Sequence, residues 1–502
     1  MAGGIRSRVR STWALALVAL VAVLALALAT AGASAPAASN APSSAKRASD
    51  HPNVVFVLTD DLSWNLLKYM PNVKALQSQG ETFSRYYVTD SLCCPSRSSI
   101  FTGRVPHNTG VITNKPPNGG FQVFHDRGEE SDTFATAISS IAGANYRTAM
   151  MGKYLNGYEP STLYVPPGWS EWDVAGNGYK GFDYQLNENG SLVSYGSTPA
   201  DYLTDVLAGK GVNFINGAAQ AGNPFMLEIA TFAPHAPSTP APRDAQDFPN
   251  AKVPRTPAFN TANTNPPSWL AGRAALNQTE INNLDERFRK RAQSVQAVDD
   301  MIGRLRATLS ANGVANNTYL VFSSDNGYHM GDHRLMQGKM TAFDTDISVP
   351  LVVVGPDVPA GKTVDKITEN VDLRSTFSQL AGASVPNDVD GHSLVPLLHN
   401  ANHGKWRTAA LVEHHGPDTA KSDPDYQTAK SGNPTTYEAI RRQNDVYVEY
   451  ANGDREYYNV AKDPYERHNT YGALGPVKQA RLHQTLTQLE TCSGQSCWVT
   501  GS

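Results

Sequence analysis

Acidic and amide side chains follow two apolar runs of the sequence that have the composition of buried strands. Asp60 and Asp61 come directly after the first run, and Asp325 and Asn326 come after the last. Ligands of open α/β sheets bind at the carboxyl ends of the strands. Three carboxylates and an amide oxygen suit calcium or magnesium, whereas no cysteine and histidine spacing typical of zinc occurs. The pattern predicts a hard-cation site, with a helix cap as the alternative for the Asp-Asp pair.

Lys153 and His235 follow two further apolar runs, at residues 146–151 and 225–230. A lysine would place a positive charge beside the acidic residues, and a histidine would add a group that titrates near neutral pH. Taken singly, either residue could equally be a solvated surface side chain. Because polar residues recur at the ends of four runs, we predict that they lie together in one functional site.

Cys93 and Cys94 open a polar segment that continues Pro-Ser-Arg-Ser-Ser-Ile-Phe-Thr-Gly-Arg. The proline and serine suit the first turn of a helix, so Cys93 is predicted at an electropositive helix N-terminus. A thiol there is acidified and could act as a nucleophile. The alternatives are a disulfide with Cys492 or Cys497 and an inert buried thiol. We expect the last two cysteines to bridge each other, which would leave the first two free.

Length and composition exclude several classes of protein. The 502 residues are 40% hydrophobic, which is enough for one large domain and a smaller one. The 42 basic and 46 acidic residues give a net charge of −4, which argues against a nucleic-acid-binding or polybasic membrane-surface protein. Four cysteines in so long a chain exclude a disulfide scaffold. An anionic substrate would therefore have to be held by local charge.

Short apolar runs alternate with helical patterns along most of the chain. The clearest helix has apolar residues at three- and four-residue steps from Ala292 to Leu309, and it leads into an apolar run at residues 319–322. This order predicts an α/β fold with a largely parallel sheet. Residues 234–267 are rich in proline and lack periodicity, which predicts a functional loop. From residue 401 onward, short β-rich runs predict a smaller antiparallel sheet with a closing helix.

The N-terminal residues have the features of a signal peptide. Three arginines precede an almost unbroken Ala/Leu/Val run at residues 13–29, and small residues follow it. We expect residues 1–35 to be a signal peptide and residues 36–50 to be a disordered linker. The mature protein would then be secreted, without stable insertion into a membrane. An uncleaved membrane anchor is the alternative, because the run approaches the length of a spanning helix.

The Cys-x-Pro-Ser-Arg signature at Cys93, followed by Thr-Gly-Arg, resembles that of the formylglycine-dependent sulfatases. The resemblance extends from about residue 52 through the C-terminal cysteines, and within the family it is greatest to the glucosamine-6-sulfatases. It implies an alkaline-phosphatase-like fold, with a large sheet flanked by helices in a catalytic domain at residues 51–400. A smaller C-terminal subdomain with an antiparallel sheet would occupy residues 401–502.

The same resemblance implies roles for single residues. Cys93 would be converted to formylglycine by a formylglycine-generating enzyme, and Arg97 would hold the formylglycine hydrate. Calcium, with magnesium less favoured, would be bound by the converted Cys93 together with Asp60, Asp61, Asp325 and Asn326. The groups that grip the sulfate and serve proton transfer would be Lys153, His235 and Lys339.

One position departs from the family pattern. Many sulfatases have a histidine two residues after the equivalent of Lys153, whereas this sequence has Leu155 followed by Asn156. Asn156 could only donate or accept a hydrogen bond, so its expected role is in binding substrate. His329 and His333 are the other residues expected to contact a sugar.

The expected function is hydrolysis of sulfate monoesters, in particular the 6-O-sulfate of N-acetylglucosamine-type sugars or glycosaminoglycan fragments. Two alternatives are enzymes: an arylsulfatase of broad specificity, and a phosphate or phosphonate ester hydrolase on the same fold. A third is a carbohydrate-binding protein in which Cys93 is never converted. The complete set of metal ligands argues against this third alternative, because a binding protein would have little use for it. The expected partners are a sulfated carbohydrate or a small sulfate ester, and no nucleic acid.

Overall fold

In the computed structural model, which describes residues 51–500, the first apolar run forms strand β1 (Asn53–Thr59). Residues 54–58 are at most 1% exposed, and alternate side chains pack into two separate apolar clusters, one on each face. Burial on both faces is typical of the centre of an α/β sheet. The predicted signal peptide and linker lie outside the described residues. Within residues 51–500, no helix has the length and apolar character needed to cross a membrane.

Ten strands of the described chain form one large sheet. In spatial order they are β13 (Lys362–Val364), β2 (Glu81–Phe83), β12 (Leu351–Val354), β9 (Thr318–Ser324), β1, β8 (Phe225–Ala230), β4 (Arg147–Lys153), β5 (Glu171–Ala175), β6 (Tyr184–Glu188) and β7 (Ser191–Tyr195). The strands from β9 to β5 run parallel, which confirms the predicted α/β class. Antiparallel pairs flank them on both sides, so the sheet is mixed at its edges. The two-residue turn between β6 and β7 is too short for a parallel crossover.

Helices cover both faces of this sheet. One face is covered by α1 (Pro71–Gln79), α6 (Leu203–Ala221) and α7 (Gln278–Ala311), and the other by α2 (Cys93–Thr102), α5 (Phe134–Ser139) and α9 (Asp372–Ala381). Shorter helices are α3 (Pro106–Thr109), α4 (Gly120–Asp126), α8 (Asp344–Ile347) and α10 (Val395–Leu398). The predicted helix before β9 is α7, which begins earlier than its apolar stripe because Asn277 and Glu280 form a capping box.

The C-terminal residues form the predicted antiparallel sheet. Its strands are β15 (Ala409–His414), β16 (Tyr437–Arg442), β17 (Val446–Tyr450) and β18 (Arg455–Tyr458), and α11 (Pro476–Leu489) packs against it. Gly453 takes a positive φ of 93° in the turn between β17 and β18, where a side chain would be strained. Cys492 and Cys497 form a disulfide, as expected, whereas Cys93 and Cys94 are free and buried. Two further two-stranded sheets pair β3 (Tyr86–Tyr87) with β14 (Thr368–Glu369) and β10 (His329–Met330) with β11 (Gln337–Gly338).

The proline-rich segment at residues 234–267 is largely irregular, as predicted. It packs against the chain that follows β18: the Thr264 main-chain N–H donates to the Arg467 carbonyl at 2.8 Å, and Asn263 Nδ2 donates to the Glu466 carbonyl at 2.9 Å. The segment therefore joins the part of the chain that forms the large sheet to the C-terminal part. A direct role in function stays a prediction.

His107 in α3 links the same two parts. Its Nδ1 lies 2.8 Å from Glu413 Oε1, and its Nε2 lies 2.8 Å from the carbonyl oxygen of Cys492. Both partners are acceptors, so the ring is best satisfied when both nitrogens carry protons. Burial by itself lowers the pKa of His107, but the hydrogen bond and charge of Glu413 outweigh it and raise the pKa to about 9.

This cation should stabilise the fold in a pH-dependent manner. Because the folded pKa of His107 lies above the unfolded value, its contribution is fully present below about pH 6.5 and is lost as the pH rises through 9. We expect the difference in unfolding free energy between wild type and His107→Gln to fall by up to about 3 kcal/mol between pH 6 and pH 10. Urea unfolding at a series of pH values measures it, and a difference that did not change with pH would contradict the assignment.

Candidate active site

The carboxyl ends of adjacent parallel strands carry the predicted metal ligands. Asp60 and Asp61 follow β1, and Asp325 and Asn326 follow its neighbour β9. The main-chain N–H of Asp61 donates to Asp325 Oδ1 at 3.2 Å, and Asn326 Nδ2 donates to Asp61 Oδ1 at 2.7 Å. All four side chains are buried. The pairing of β1 with β9 therefore brings together residues that are more than 260 positions apart in the sequence.

Cys93 is the first residue of α2, at the helix N-terminus where the sequence predicted it. Its Sγ lies 3.2 Å from Asp60 Oδ1 and 2.9 Å from Lys339 Nζ. The expected acidification of the thiol is wrong. Burial first, and then the charges of the neighbouring carboxylates, raise the pKa of Cys93 well above its usual range and outweigh the positive charge of Lys153.

The chemistry of this cluster fits one hard cation. Ligand atoms of Asp60, Asp61, Cys93 and Asp325 all lie within 4.8 Å of one another. Asn326 Oδ1 is buried beside them, and no donor within residues 51–500 reaches it. A buried acceptor without a partner costs free energy, which a bound cation would remove. The side chains of Asp60, Asp61, Asp325 and Asn326 could therefore hold a divalent ion such as calcium.

Each carboxylate of the cluster is paired with a buried cation from another part of the chain. The pairs are Lys153 Nζ with Asp60 Oδ2 at 2.6 Å, Lys339 Nζ with Asp61 Oδ1 at 2.7 Å, and Arg97 Nε with Asp325 Oδ2 at 2.8 Å. Arg97 also donates from Nη1 to the Lys153 carbonyl at 2.9 Å, which ties α2 to the end of β4. These cations offset the repulsion between carboxylates that lie in contact.

A fourth carboxylate at the site, Asp425, was not predicted from the sequence. It lies in the connection between β15 and β16, far along the sequence from any strand of the large sheet. Asp425 Oδ1 accepts from Lys339 Nζ at 2.6 Å and from His235 Nε2 at 2.7 Å. Burial alone would raise the pKa of Asp425, but the charges of Lys339 and His235 hold it well below its usual value. A buried carboxylate of this kind, on an irregular loop, has no signature in the pattern of one sequence.

His235 lies beside Asp425 in the charged cluster. Its Nδ1 is 2.7 Å from the carbonyl oxygen of Ala236, so both ring nitrogens face acceptors. Burial lowers the pKa of His235, but the charges of Asp61, Asp60 and Asp425 together raise it above its usual value. The ring is thus suited to carry a positive charge beside these carboxylates.

Asn156 reaches the edge of the cluster. Its Nδ2 lies 3.3 Å from Asp425 Oδ2 and 3.5 Å from the hydroxyl of Tyr179, and its Oδ1 is buried with no hydrogen-bond donor among the described residues. Leu155, at the position where many sulfatases have histidine, is buried in the apolar cluster beneath. Asn156 is therefore placed where its free carbonyl oxygen could accept from a ligand.

His329 and His333 contact a different set of residues. His329 Nδ1 lies 2.8 Å from Asp346 Oδ2 and its Nε2 lies 2.7 Å from the Ser431 carbonyl, so neither nitrogen is left for a sugar hydroxyl in this arrangement. The ring of His333 stacks on Phe343 with centroids 3.9 Å apart. Burial, with the charge of His329, lowers the pKa of His333 to about 3, so this ring is neutral. Sugar binding by these two residues stays a prediction.

A cavity of about 380 Å³ opens beside the cluster. Its wall includes Leu92 and Met340, the sequence neighbours of Cys93 and Lys339, and also residues 112–118 and 414–420. The volume lies within the range of small-ligand sites. His414 lines it with both ring nitrogens buried and free of partners among residues 51–500. The cavity therefore offers polar groups that could bind a ligand, but its wall is formed by neighbours of the charged cluster and not by the cluster side chains themselves.

Comparisons with known proteins identify the family of the chain. A model of the sulfatase family matches residues 52–383, and a model described as N-sulphoglucosamine sulphohydrolase, C-terminal, matches residues 331–492. The N-acetylglucosamine-6-sulfatase of Capra hircus is 35% identical over 485 residues, which cover 91% of this chain and 86% of the relative.

Two solved structures share the fold. BT4656, in complex with its substrate D-glucosamine-2-N,6-O-disulfate, has a TM-score of 0.74 and 24% identity, and the match covers 88% of this chain and 97% of that one. The phosphonate monoester hydrolase of Agrobacterium radiobacter has a TM-score of 0.66 and 23% identity, with 88% and 95% covered. At such identities the likeness shows the alkaline-phosphatase-like fold alone. The family model and the sequence relative show more: the chain belongs to the sulfatase family of sulfuric-ester hydrolases.

Proposed function

We propose that this sulfatase hydrolyses the 6-O-sulfate of N-acetylglucosamine-type sugars or glycosaminoglycan fragments, using formylglycine at position 93 and one calcium ion. The observation that carries the proposal is the contact of Cys93 with both Asp60 and Lys339. A nucleophile at this position lies between a metal ligand and a fixed cation. The charge of an attacked sulfate ester would be neutralised at the same point.

The cations of the site address the main difficulty of the reaction. A sulfate monoester repels nucleophiles by its own negative charge, and Lys153, Lys339 and His235 supply positive charge around Cys93. Because the groups are buried, water screens their attraction for the substrate only weakly. A bound calcium ion would act as a Lewis acid toward the sulfate oxygens. His235 or Lys339 would donate a proton to the leaving alcohol.

The surroundings of Cys93 favour formylglycine over the unconverted thiol as the nucleophile. With its pKa raised, the thiol is a weak nucleophile. A serine in its place would form a stable sulfate ester and leave sulfate bound to the enzyme. In a hydrated aldehyde, one hydroxyl attacks sulfur, and the other, once deprotonated, expels sulfate and restores the aldehyde. Arg97, one turn along α2, has a buried Nη2 that meets no acceptor within residues 51–500 and is available to hold such a hydrate.

The substrate class is inferred from the relatives and from the cavity. Three N-acetylglucosamine-6-sulfatases are 35% identical to this chain over 86–91% of its length, whereas two arylsulfatases that match 90–91% of it are 29–30% identical. BT4656 was solved with D-glucosamine-2-N,6-O-disulfate. The cavity beside the cluster has polar walls, with Asn114 and His414 among them, that suit ring hydroxyls. Asn156 adds a free carbonyl oxygen near Asp425.

Export is part of the proposal. It is supported by the N-terminal sequence pattern and by the disulfide between Cys492 and Cys497, a bond that persists in oxidising compartments. The enzyme that converts Cys93 would then be a partner during maturation only.

A second candidate is hydrolysis of phosphonate or phosphate monoesters. It is favoured by the fold shared with the phosphonate monoester hydrolase of Agrobacterium radiobacter. The two reactions need similar cations around the transferred group, so the choice between them requires a direct comparison of substrates.

Formylglycine should form at residue 93 and not at residue 94. Cys94 packs in the apolar cluster, and its main-chain N–H donates to Asn114 Oδ1 at 2.9 Å, so only Cys93 faces the charged groups. Peptide mass spectrometry on active protein from a converting host measures this directly. We expect Cys93→Ala to abolish turnover and Cys94→Ala to keep the aldehyde at position 93. Two intact cysteines in active protein would contradict the mechanism.

The substrate class is tested by kcat/KM on a panel of esters. The kcat/KM for N-acetylglucosamine 6-sulfate should exceed that for its 3-O-sulfated isomer and for 2-O-sulfated sugars by at least about tenfold. A site that places a sulfate on the hydroxymethyl group next to the nucleophile holds a sulfate on a ring hydroxyl in the wrong position. The matched pair 4-nitrophenyl sulfate and 4-nitrophenyl phosphate, with a phenylphosphonate ester, separates the two candidate reactions. A preference for 2-O- or 3-O-sulfated sugars would overturn the substrate assignment. A preference for the phosphonate ester would favour the second candidate.

A further inference from the structure

Asp425 is in contact with polar side chains from four separate segments of the chain. Its Oδ1 accepts from Lys339 and His235, and its Oδ2 accepts from Asn114 Nδ2 at 2.7 Å and Asn156 Nδ2 at 3.3 Å. The side chain is 1% exposed. A carboxylate buried with both oxygens filled by donors from four separate segments fixes all of those segments relative to one another.

We infer that Asp425 is a positioning residue of the active site, which holds the Lys339 ammonium and the His235 imidazole in the places where they act on the sulfate ester. The inference rests on the proposed function for the reaction concerned. It goes beyond it by assigning a part of the site to the C-terminal region of the chain.

The two groups that Asp425 holds reach toward the reacting centre. Lys339 Nζ, bound to Asp425, also lies 2.9 Å from Cys93 Sγ and 2.7 Å from Asp61 Oδ1. The ring of His235 is held between Asp425 and the Ala236 carbonyl, which leaves it one orientation with both nitrogens engaged. Without Asp425, the Lys339 ammonium would keep only Asp61 and Cys93 as partners, and the His235 ring would lose one of the two hydrogen bonds that set its orientation.

Asn114 extends the same role to the nucleophile. Its Nδ2 donates to Asp425, while its Oδ1 accepts from the main-chain N–H of Cys94 in the first turn of α2. One amide therefore connects Asp425 to the residue next to Cys93. The positions of the nucleophile and of both candidate proton donors thus depend on one carboxylate.

The loop that carries Asp425 is itself fixed. Asp423 Oδ1 accepts from the Asp425 main-chain N–H at 3.0 Å, and Gln427 Nε2 donates to the Asp425 carbonyl at 2.7 Å. Farther along the loop, His329 Nε2 contacts the Ser431 carbonyl at 2.7 Å. His329, expected from the sequence to bind a sugar, therefore also supports this loop.

The test compares Asp425→Asn with Asp344→Asn in the full-length protein. Asp344 accepts from Arg441 Nε at 2.8 Å and Nη2 at 2.9 Å, so its variant also removes a partly buried ion pair between the two parts of the chain, but one that makes no hydrogen bond or ion pair with the cluster within residues 51–500. We expect Asp425→Asn to lower kcat at least about 100-fold on N-acetylglucosamine 6-sulfate, with KM changed less than about threefold. On 4-nitrophenyl sulfate the loss should be less than about tenfold, because a good leaving group needs little help from a proton donor.

If Asp425→Asn does not fold, Asp425→Glu is tested in its place. This variant keeps the charge but moves the carboxylate, so the loss of kcat should again be larger for the sugar sulfate than for the aryl sulfate. Asp344→Asn should change both substrates equally or not at all. If the selective loss occurred with Asp344→Asn as well, or if either Asp425 variant behaved as wild type, the inference would be overturned. A rise in KM alone on the sugar would make Asp425 a substrate contact and would also overturn it.

A crystal structure of the Asp425 variant separates this inference from the proposed function. We expect the Lys339 ammonium to move away from Cys93 and the His235 ring to rotate, whichever ester the protein cleaves. If both side chains kept their positions, the inference would fail even with sulfatase activity established. If the wild-type protein cleaved phosphonates and not sulfates, the proposed function would fail, and the displaced side chains would still support the positioning role.

Discussion

The site depends on how carboxylates of like charge are kept in contact at the carboxyl edge of a buried sheet. Adjacent strands β1 and β9 deliver Asp60, Asp61 and Asp325 to the same point, where none is exposed to water. Burial of an unpaired ion costs several kcal/mol, so the arrangement requires opposite charges in direct contact. Arg97 and Lys339 meet two of the three carboxylates at 2.8 and 2.7 Å, and a lysine at the end of β4 meets the third. Charge pairing therefore fixes the positions of the start of α2, the end of β4 and the chain after β11.

The C-terminal sheet is part of the same charge balance. Asp425 comes from the connection between β15 and β16, and it faces Lys339 and His235 across the cluster. The side chains in contact there are four carboxylates and four groups that carry positive charge when protonated: Asp60, Asp61, Asp325 and Asp425 with Arg97, Lys153, Lys339 and His235. A divalent cation would leave this buried set with an excess of positive charge. Such an excess complements the negative charge of a sulfate monoester and of its nucleophile.

Features that depend on neighbouring residues in the sequence could be predicted. The apolar runs and the polar residues directly after them mark the strand ends, so Asp60 and Asp325 could be predicted to meet. The position of Cys93 at a helix start could be predicted from the proline that follows nearby. The antiparallel edges of the sheet could not be predicted, because strand order depends on contacts between distant segments. Asp425 could not be predicted either, because a loop residue becomes functional only through its partners. The expected acidity of Cys93 failed because burial and neighbouring carboxylates outweigh the effect of a helix N-terminus.

We propose that these buried charges are arranged around one oxygen-ligated divalent cation. Calorimetric titration of calcium into metal-free protein, with Asp325→Asn as the matched variant, is the decisive experiment. We expect one calcium per chain for the wild type and binding at least about tenfold weaker for the variant, because a ligand charge is lost while the shape of the side chain is kept. Magnesium should bind more weakly, since it tolerates less distortion of its ligands. Equal calcium affinity in wild type and Asp325→Asn, with both proteins folded by circular dichroism, would contradict the account.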